Sequence, residues 1–400
     1  MTRRPSLKSF SCALALCAAL VAASSARGQP ASDDEARLTI ERIHIGEGRV
    51  YGETRDGARS ELTLDPTLSR AALKLLEQAH PVEGAAVLID LKSSSLRVFA
   101  EVHRGAWQGS AITEARAPAA SVFKLITTAA LFENGGVRPS ERVCIAGGSH
   151  SVERRHLDAP RGGPDVTCGT FSQALGFSRN AVYAQLATHR LARQDLVEIA
   201  ERLGFNSNVP FDWPVPVGSL NVPYNDLEFA RTATGFQGST LSPLGAAYIA
   251  SIIAQGGLAQ RLHLVAPPET GSLPEAETPT RILKKATARR LTKMMEVTVR
   301  SGTSRQVFHD ESGRSLLPGV RVAGKTGTLR PGSRSETTSW FVGFAPADKP
   351  EIVVSVMLEN GAVWRQRAAE VARDLLRVYF HRKGMTKVVD PLAPPETTSE

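Results

Sequence analysis

Strand-like apolar segments fall at both ends of this chain, with a long helical middle between them. Near the start, Gly84-Ala85-Ala86-Val87-Leu88-Ile89-Asp90 is an apolar run of strand length. A Ser-rich turn at 93–95 joins it to Leu96-Arg97-Val98-Phe99-Ala100. Such a run, bounded by turn residues, reads as a buried strand, and the two together as a hairpin. In the last third, residues 320–328, 340–344 and 352–358 are short apolar runs separated by Gly, Pro and Ser, the pattern of an antiparallel meander. Strands must pair their backbone groups somewhere. The expected architecture is therefore α/β of the α+β type. One antiparallel sheet is built from both chain ends and flanked by helices, with an all-helical lobe inserted between.

Other segments fill in this frame. Residues 38–45 alternate apolar with polar, Gly46-Glu47-Gly48 turns the chain, and 49–52 returns as the second strand of a hairpin. Asp65 is a good N-cap with Pro66 at the first helical position. Leu68, Ala71, Ala72, Leu75 and Leu76 give the helix that follows an apolar stripe. Residues 170–204 read as helical, 209–223 as a Pro-rich loop, and Ser242-Pro243 opens a long apolar helix that ends at Gly256-Gly257. A loop rich in Pro and Glu covers 267–280, helices cover 286–299 and 363–380, and the residues from 386 onward read as a disordered tail. The expected division is a leader at 1–26, a short hairpin segment at 27–60, a main domain at 61–384 and a tail at 385–400.

The first residues bear on the compartment. Arg3, Arg4 and Lys8 precede an apolar stretch at 10–23, and Ser24-Ser25-Ala26 follows. That is the layout of a secretory signal peptide with cleavage after Ala26. The stretch is shorter than the roughly 18 apolar residues of a membrane span; retention as an uncleaved anchor is the alternative. Export predicts the periplasm or the outer face of the cytoplasmic membrane. Cys12 and Cys17 lie in the leader. Cys144 and Cys168 remain, an even pair whose default in an exported protein is a disulfide. His150 and His156 fall between them, but zinc-ligand spacings are absent and no metal is expected. With 42% hydrophobic and 22% charged residues the chain can bury a sizeable core. Its net charge of +8 comes without a Lys/Arg-rich block, which argues against nucleic acid as a partner.

Three short elements carry chemistry. In Ala119-Ala120-Ser121-Val122-Phe123-Lys124, a hydroxyl and an amine three residues apart share a helix face at the start of an apolar run, 125–131. A neutral lysine can take the serine proton and make the hydroxyl a nucleophile; alone, the pair is more often solvated surface. Ser178-Arg179-Asn180 offers a hydroxyl for proton relay and a carboxamide that both donates and accepts; alone, it is more often a helix cap. Gly324-Lys325-Thr326-Gly327-Thr328 places a cation and two hydroxyls on a strand whose glycines let a ligand approach the backbone; alone, it is a surface strand.

Ser-x-x-Lys, Ser-x-Asn and Lys-Thr-Gly in this order form the set of penicillin-binding proteins and related serine β-lactamases. The chain resembles the transpeptidase domain of penicillin-binding proteins. Further stretches support the resemblance: Leu62-Thr63-Leu64-Asp65, Gly235-Phe236-Gln237-Gly238, Leu241-Ser242-Pro243-Leu244, Ala254-Gln255-Gly256-Gly257 and Ser301-Gly302-Thr303-Ser304. Together they cover about residues 60–380.

The resemblance implies a D,D-transpeptidase acting on D-Ala-D-Ala stem peptides of peptidoglycan, with β-lactams as covalent inhibitors and no cofactor. Other cell-wall synthesis proteins are candidate partners. It implies Ser121 as nucleophile, Lys124 as base, Ser178 as proton relay and Asn180 as substrate holder. Lys325, Thr326, Gly327 and Thr328 would form the strand that holds the terminal carboxylate. The backbone N–H groups of Ser121 and Thr328 would be the oxyanion donors. Ala120 departs from the pattern, standing where many large members have Gly. No glycosyltransferase module is expected before residue 60, and only a short stretch stands in place of the large N-terminal module of monofunctional members. D,D-carboxypeptidase and serine β-lactamase are the neighbouring activities, although no loop Glu follows the lactamase pattern. A non-catalytic β-lactam sensor or scaffold is the alternative from another class.

Overall fold

The computed structural model describes residues 40–54, 57–104, 109–148, 151–267, 278–330 and 335–385. The leader, Cys12, Cys17, His150, most of the Pro/Glu-rich loop and the tail from 386 lie outside the described residues.

The strands are β1 (Ile40–Ile45), β2 (Val50–Thr54), β3 (Arg59–Leu62), β4 (Glu83–Asp90), β5 (Ser95–His103), β6 (Ala323–Leu329), β7 (Thr337–Ala345) and β8 (Ile352–Asn360), together with several short ladders. The helices are α1 (Pro66–Ala79), α2 (Lys124–Glu133), α3 (Phe171–Gly176), α4 (Asn180–Arg190), α5 (Arg193–Arg202), α6 (Asp226–Thr234), α7 (Pro243–Ala254), α8 (Lys285–Arg300), α9 (Arg305–Phe308) and α10 (Ala368–Arg382).

The main sheet is antiparallel, with strand order β6-β7-β8-β4-β5. Its seam joins the two chain ends: Val354 of β8 pairs with Leu88 of β4, and Val356 with Ala86. The three inner strands are buried at nearly every residue because both faces are covered. That is why they read as continuous apolar runs rather than as alternation. β5 lies at the edge and does alternate. One face packs against α1 and α10 through Leu75, Leu76, Leu375 and Leu376. The other packs against α7, which is buried along almost its whole length and links the sheet to the helical lobe.

Asp65 caps α1, accepting from the N–H groups of Thr67 and Leu68 at 2.9 Å. The N-terminal hairpin has a third strand, β3, that the polar residues 59–62 did not announce; it is made by pairing with β2. The helical stretch 170–204 is three helices, interrupted where Ser178 takes φ +56°. The last helix starts at Ala368 and not at 363, leaving 361–367 as a loop. Cys144 and Cys168 are bonded, directly opposite each other in a hairpin of Arg142–Ala146 with Val166–Thr170. Among the described residues, no helix is long and apolar enough to cross a membrane.

Candidate active site

The serine-bearing stretch is held from several sides. Ala117–Pro118 pairs with Ser239–Leu241, Ala120–Phe123 forms a 3-10 turn, and α2 begins at Lys124. Ala120 has φ +47°, in the left-handed region, where a Cβ costs roughly 1 kcal/mol. Two contacts hold it there. A Cβ on Gly235, itself at φ +83°, would lie 1.9 Å from the Ala120 carbonyl oxygen, so only glycine fits beneath the turn. Trp340 Nε1 donates to the Pro118 carbonyl at 3.0 Å. On β6, Gly327 faces the same turn: a Cβ there would meet Ala120 Cβ at 3.3 Å.

Ser121 thus stands where turn, lobe and sheet meet. Lys124 Nζ lies 2.7 Å from Ser121 Oγ, 3.2 Å from Ser178 Oγ and 2.5 Å from Asn180 Oδ1. Lys325 Nζ donates to Ser178 Oγ at 3.1 Å and to the Thr326 carbonyl at 2.7 Å. The Ser178 hydroxyl therefore bridges two amines.

Both lysines are fully buried. Lys124 is held well below the ordinary lysine range, first by burial and then by the nearby charge of Lys325. Burial brings Lys325 down to about 7. A neutral amine has two N–H donors and one lone pair. Around Lys124 that matches donation to Asn180 Oδ1 and Ser178 Oγ, with acceptance from the Ser121 hydroxyl. The arrangement can remove a proton from Ser121.

The three elements open onto one cleft of about 840 Å³, lined by Ser121, Ser178, Asn180, Thr326, Thr328 and Trp340 among others. No aspartate or glutamate is among its described lining residues. Ser121, Ser178, Asn180, Thr326 and Thr328 line the cleft, and Lys124 and Lys325 lie buried behind them, bonded to Ser178, whereas Cys144 and Cys168 are not part of the lining. Thr303 was missed as a site residue: its Oγ1 lies 2.6 Å from Thr326 Oγ1 at the same end of the cleft. Its signal was the Ser301-Gly302-Thr303-Ser304 stretch, to which the sequence attached no role. Phe177, Phe236 and Trp364 also line the cleft; they come from loops, where no periodicity marks them. Among the described residues, no group of three or more His, Cys, Asp or Glu could hold a metal ion.

Residues 84–377 match the penicillin binding protein transpeptidase domain family. The chain belongs to that family. Among relatives of this transpeptidase-domain protein, peptidoglycan D,D-transpeptidase PbpA of Mycobacterium tuberculosis is 27% identical over 354 residues, covering 78% of this chain and 69% of PbpA. Penicillin-binding protein PbpB of Mycolicibacterium smegmatis is 26% identical over 361 residues, covering 81% of this chain and 53% of PbpB. The fold is similar to that of penicillin-binding protein A from M. tuberculosis in its ceftriaxone acyl-enzyme complex. The TM-score is 0.65 at 23% identity, over 80% of this chain and 79% of that one.

Proposed function

We propose that this chain is a serine D,D-transpeptidase that cross-links peptidoglycan stem peptides ending in D-Ala-D-Ala. The observation that carries the reading is the 2.7 Å contact between Ser121 Oγ and a buried, pKa-depressed Lys124 inside a cleft that also holds Ser178, Asn180 and the Lys325 strand.

The chemistry follows from the contacts. The Ser121 proton passes to Lys124 Nζ while Oγ bonds to the carbonyl carbon of the penultimate D-Ala. The backbone N–H groups of Ser121 and Thr328 receive the oxyanion, each such donor being worth ~3 kcal/mol of barrier. The C–N bond to the terminal D-Ala breaks, and Ser178 relays the proton from Lys124 to the leaving amine. Asn180 holds the substrate backbone. Lys325, Thr326 and Thr328 receive the terminal carboxylate, and that charge favours the ammonium form of Lys325. An incoming amine then takes the acyl group and frees Ser121. A β-lactam follows the first half of this path, but its leaving group stays tethered. Among the described residues the cleft lining holds no carboxylate to serve as a base for water, which favours slow deacylation over β-lactamase turnover. The leader at 1–26 and the Cys144–Cys168 pair support placement outside the cytoplasm.

The test is labelling with a fluorescent penicillin. Folded wild-type protein gains one covalent adduct, Ser121→Ala gains none, and nitrocefin gives a single burst. A folded wild-type protein that stays unlabelled refutes the reading.

A further inference from the structure

A buried ionisable group beside the reacting atoms has no part in the chemistry above. Tyr183 sits on α4, three residues after Asn180, and is sealed from solvent. Lys124 lies over its ring, with Nζ 5.6 Å from the centroid. Its hydroxyl shares a 2.7 Å hydrogen bond with Thr128 Oγ1. Thr128 is four residues after Lys124 on α2 and is also fully buried. Residues three or four apart share a helix face, so α2 and α4 are tied by two rungs. Asn180 meets Lys124 at 2.5 Å at the cleft end, and Tyr183 meets Thr128 one turn deeper. Phe171 of α3 packs on the Tyr183 ring, 5.4 Å between centroids.

The surroundings of Lys124 decide what the ring can do. Lys325 on β6 is the charged group that acts on it, by repulsion. Ser121, Ser178 and Asn180 contribute neutral polar atoms. Burial raises the Tyr183 phenol above the ordinary tyrosine range, so it stays uncharged. The other ionised groups on elements packed against α2 are engaged elsewhere. Asp195 of α5 accepts from Asn134, and Glu133 pairs with Lys284, both at the far end of α2. Glu133 is nine residues from Lys124, about 13 Å along the helix. Arg290 of α8 sits at that end too, over Phe132. On α6, which meets α2 through Thr127 and Ala233, Arg231 and Glu228 pair with each other. Arg179 lies over Phe177, and His189 and Arg190 stand at the C-terminal end of α4. Among the described residues, no carboxylate bonds to Lys124 Nζ. The ammonium formed there meets the negative face of the Tyr183 ring instead.

We propose that Tyr183 is a positioning residue for the base: its hydroxyl locks the two helices together through Thr128, and its ring face steadies the ammonium that Lys124 becomes while Ser121 attacks. The proton moves from Ser121 Oγ to Lys124 Nζ, and Tyr183 neither gains nor loses one. A ring face stabilises a cation most where water is excluded, and Lys124 is fully buried. The two halves of the side chain therefore have separable roles, the hydroxyl in stability and the ring in the basicity of Lys124. This inference rests on Lys124 being the base for Ser121.

The test changes the electrons of the ring and keeps its shape. Thr128→Val/Tyr183→Phe removes both partners of the deeper bond and keeps the ring, a change that costs little because no polar group is left unpaired. In that host, trifluorophenylalanine at position 183 withdraws electron density from the ring face and adds little bulk. If the double variant does not fold, the same exchange is made in Tyr183→Phe. Second-order acylation by benzylpenicillin is read from intact mass across pH for each folded protein. The rate climbs with pH as Lys124 becomes neutral. A weaker ring face should move that climb to lower pH, by about half a unit to one unit, and slow the maximal rate about threefold. Tyr183→Phe alone, with Thr128 left unpaired, should show a lower urea midpoint and the wild-type climb. A purely structural role lowers the maximal rate and leaves the climb in place. A climb that stays put, moves to higher pH, or is lost together with acylation in a folded fluorinated protein overturns the proposal, while acylation of Ser121 in wild type stands. If benzylpenicillin leaves folded wild type unlabelled, the assignment of Lys124 as base falls and takes this role of Tyr183 with it.

Discussion

Lys124 and Lys325 reach one hydroxyl, Ser178 Oγ, from different elements, at 3.2 and 3.1 Å, and both are sealed from solvent. The first lies at the start of a lobe helix and the second on the sheet. Each amine makes the charged form of the other harder to hold, and burial does the rest. The proposed chemistry needs them in opposite states, Lys124 neutral and Lys325 charged.

That requirement predicts a bell-shaped pH profile for acylation by benzylpenicillin. Lys124 feels repulsion from Lys325 in addition to burial, so it gives up its proton first as pH rises. The rate climbs as Lys124 becomes neutral, then falls as Lys325 discharges near its free-enzyme value of about 7. The two limbs belong to the coupled pair. Arginine stays charged throughout this range, so Lys325→Arg should remove the descending limb from whatever activity it retains. A wild-type rate that rises without a maximum up to alkaline pH contradicts the assignment.

The same burial makes stability depend on pH. Lys325 has a folded-state value of about 7 against an ordinary 10.5, so between those values the unfolded chain binds more protons. Unfolding free energy should therefore rise with pH through that window, with the full cost of burying the cation present below it. Lys124 acts in the same direction. Urea midpoints measured across the window should climb in wild type and climb less in Lys325→Met. Parallel curves for the two proteins would contradict this.

Gly235 is expected to be irreplaceable. An alanine there must displace the Ala120 carbonyl and with it the turn that aims Ser121. Gly235→Ala should lose about 3 kcal/mol of stability and slow penicillin acylation sharply. Gly319→Ala is the control: it shares a positive φ, +76°, but has open space around it, so it should lose only about 1 kcal/mol and leave acylation near wild type.

The Cys144–Cys168 bond closes a segment with a sequence separation of 24. Replacing both cysteines by serine should cost about 3 kcal/mol in urea unfolding. The effect should also reach the site, because Gly169 of the same hairpin packs against Arg179, where a Cβ would sit 2.8 Å from the guanidinium. Acylation of the reduced or Cys-free protein should slow by less than about tenfold, since the Ser178 loop keeps its backbone bonds to α3. An unchanged urea midpoint would show that the bridge adds nothing.

Much of this was legible in the chain because the signals are local. The inner strands show as unbroken apolar runs, α1 shows through Asp65 and Pro66, and the reactive groups fall within three short motifs. The rest was hidden because long-range contacts decide it. β3 is too polar to read as a strand, and pairing with β2 alone makes it one. Thr303 looks like any helix-end hydroxyl until Thr326 is brought beside it. Trp364 looks like an isolated loop aromatic until the loop after β8 brings it to the cleft.

By itself, the order of residues determined which groups could react and which segments had to be buried, since side-chain chemistry and apolar periodicity are properties of neighbours along the backbone. Only the tertiary structure decided that Ser121, Ser178 and Lys325 face one another and that two lysines lose their ordinary basicity. Proximity across the chain and exclusion of water arise when the lobe closes against the sheet, and no local stretch encodes either.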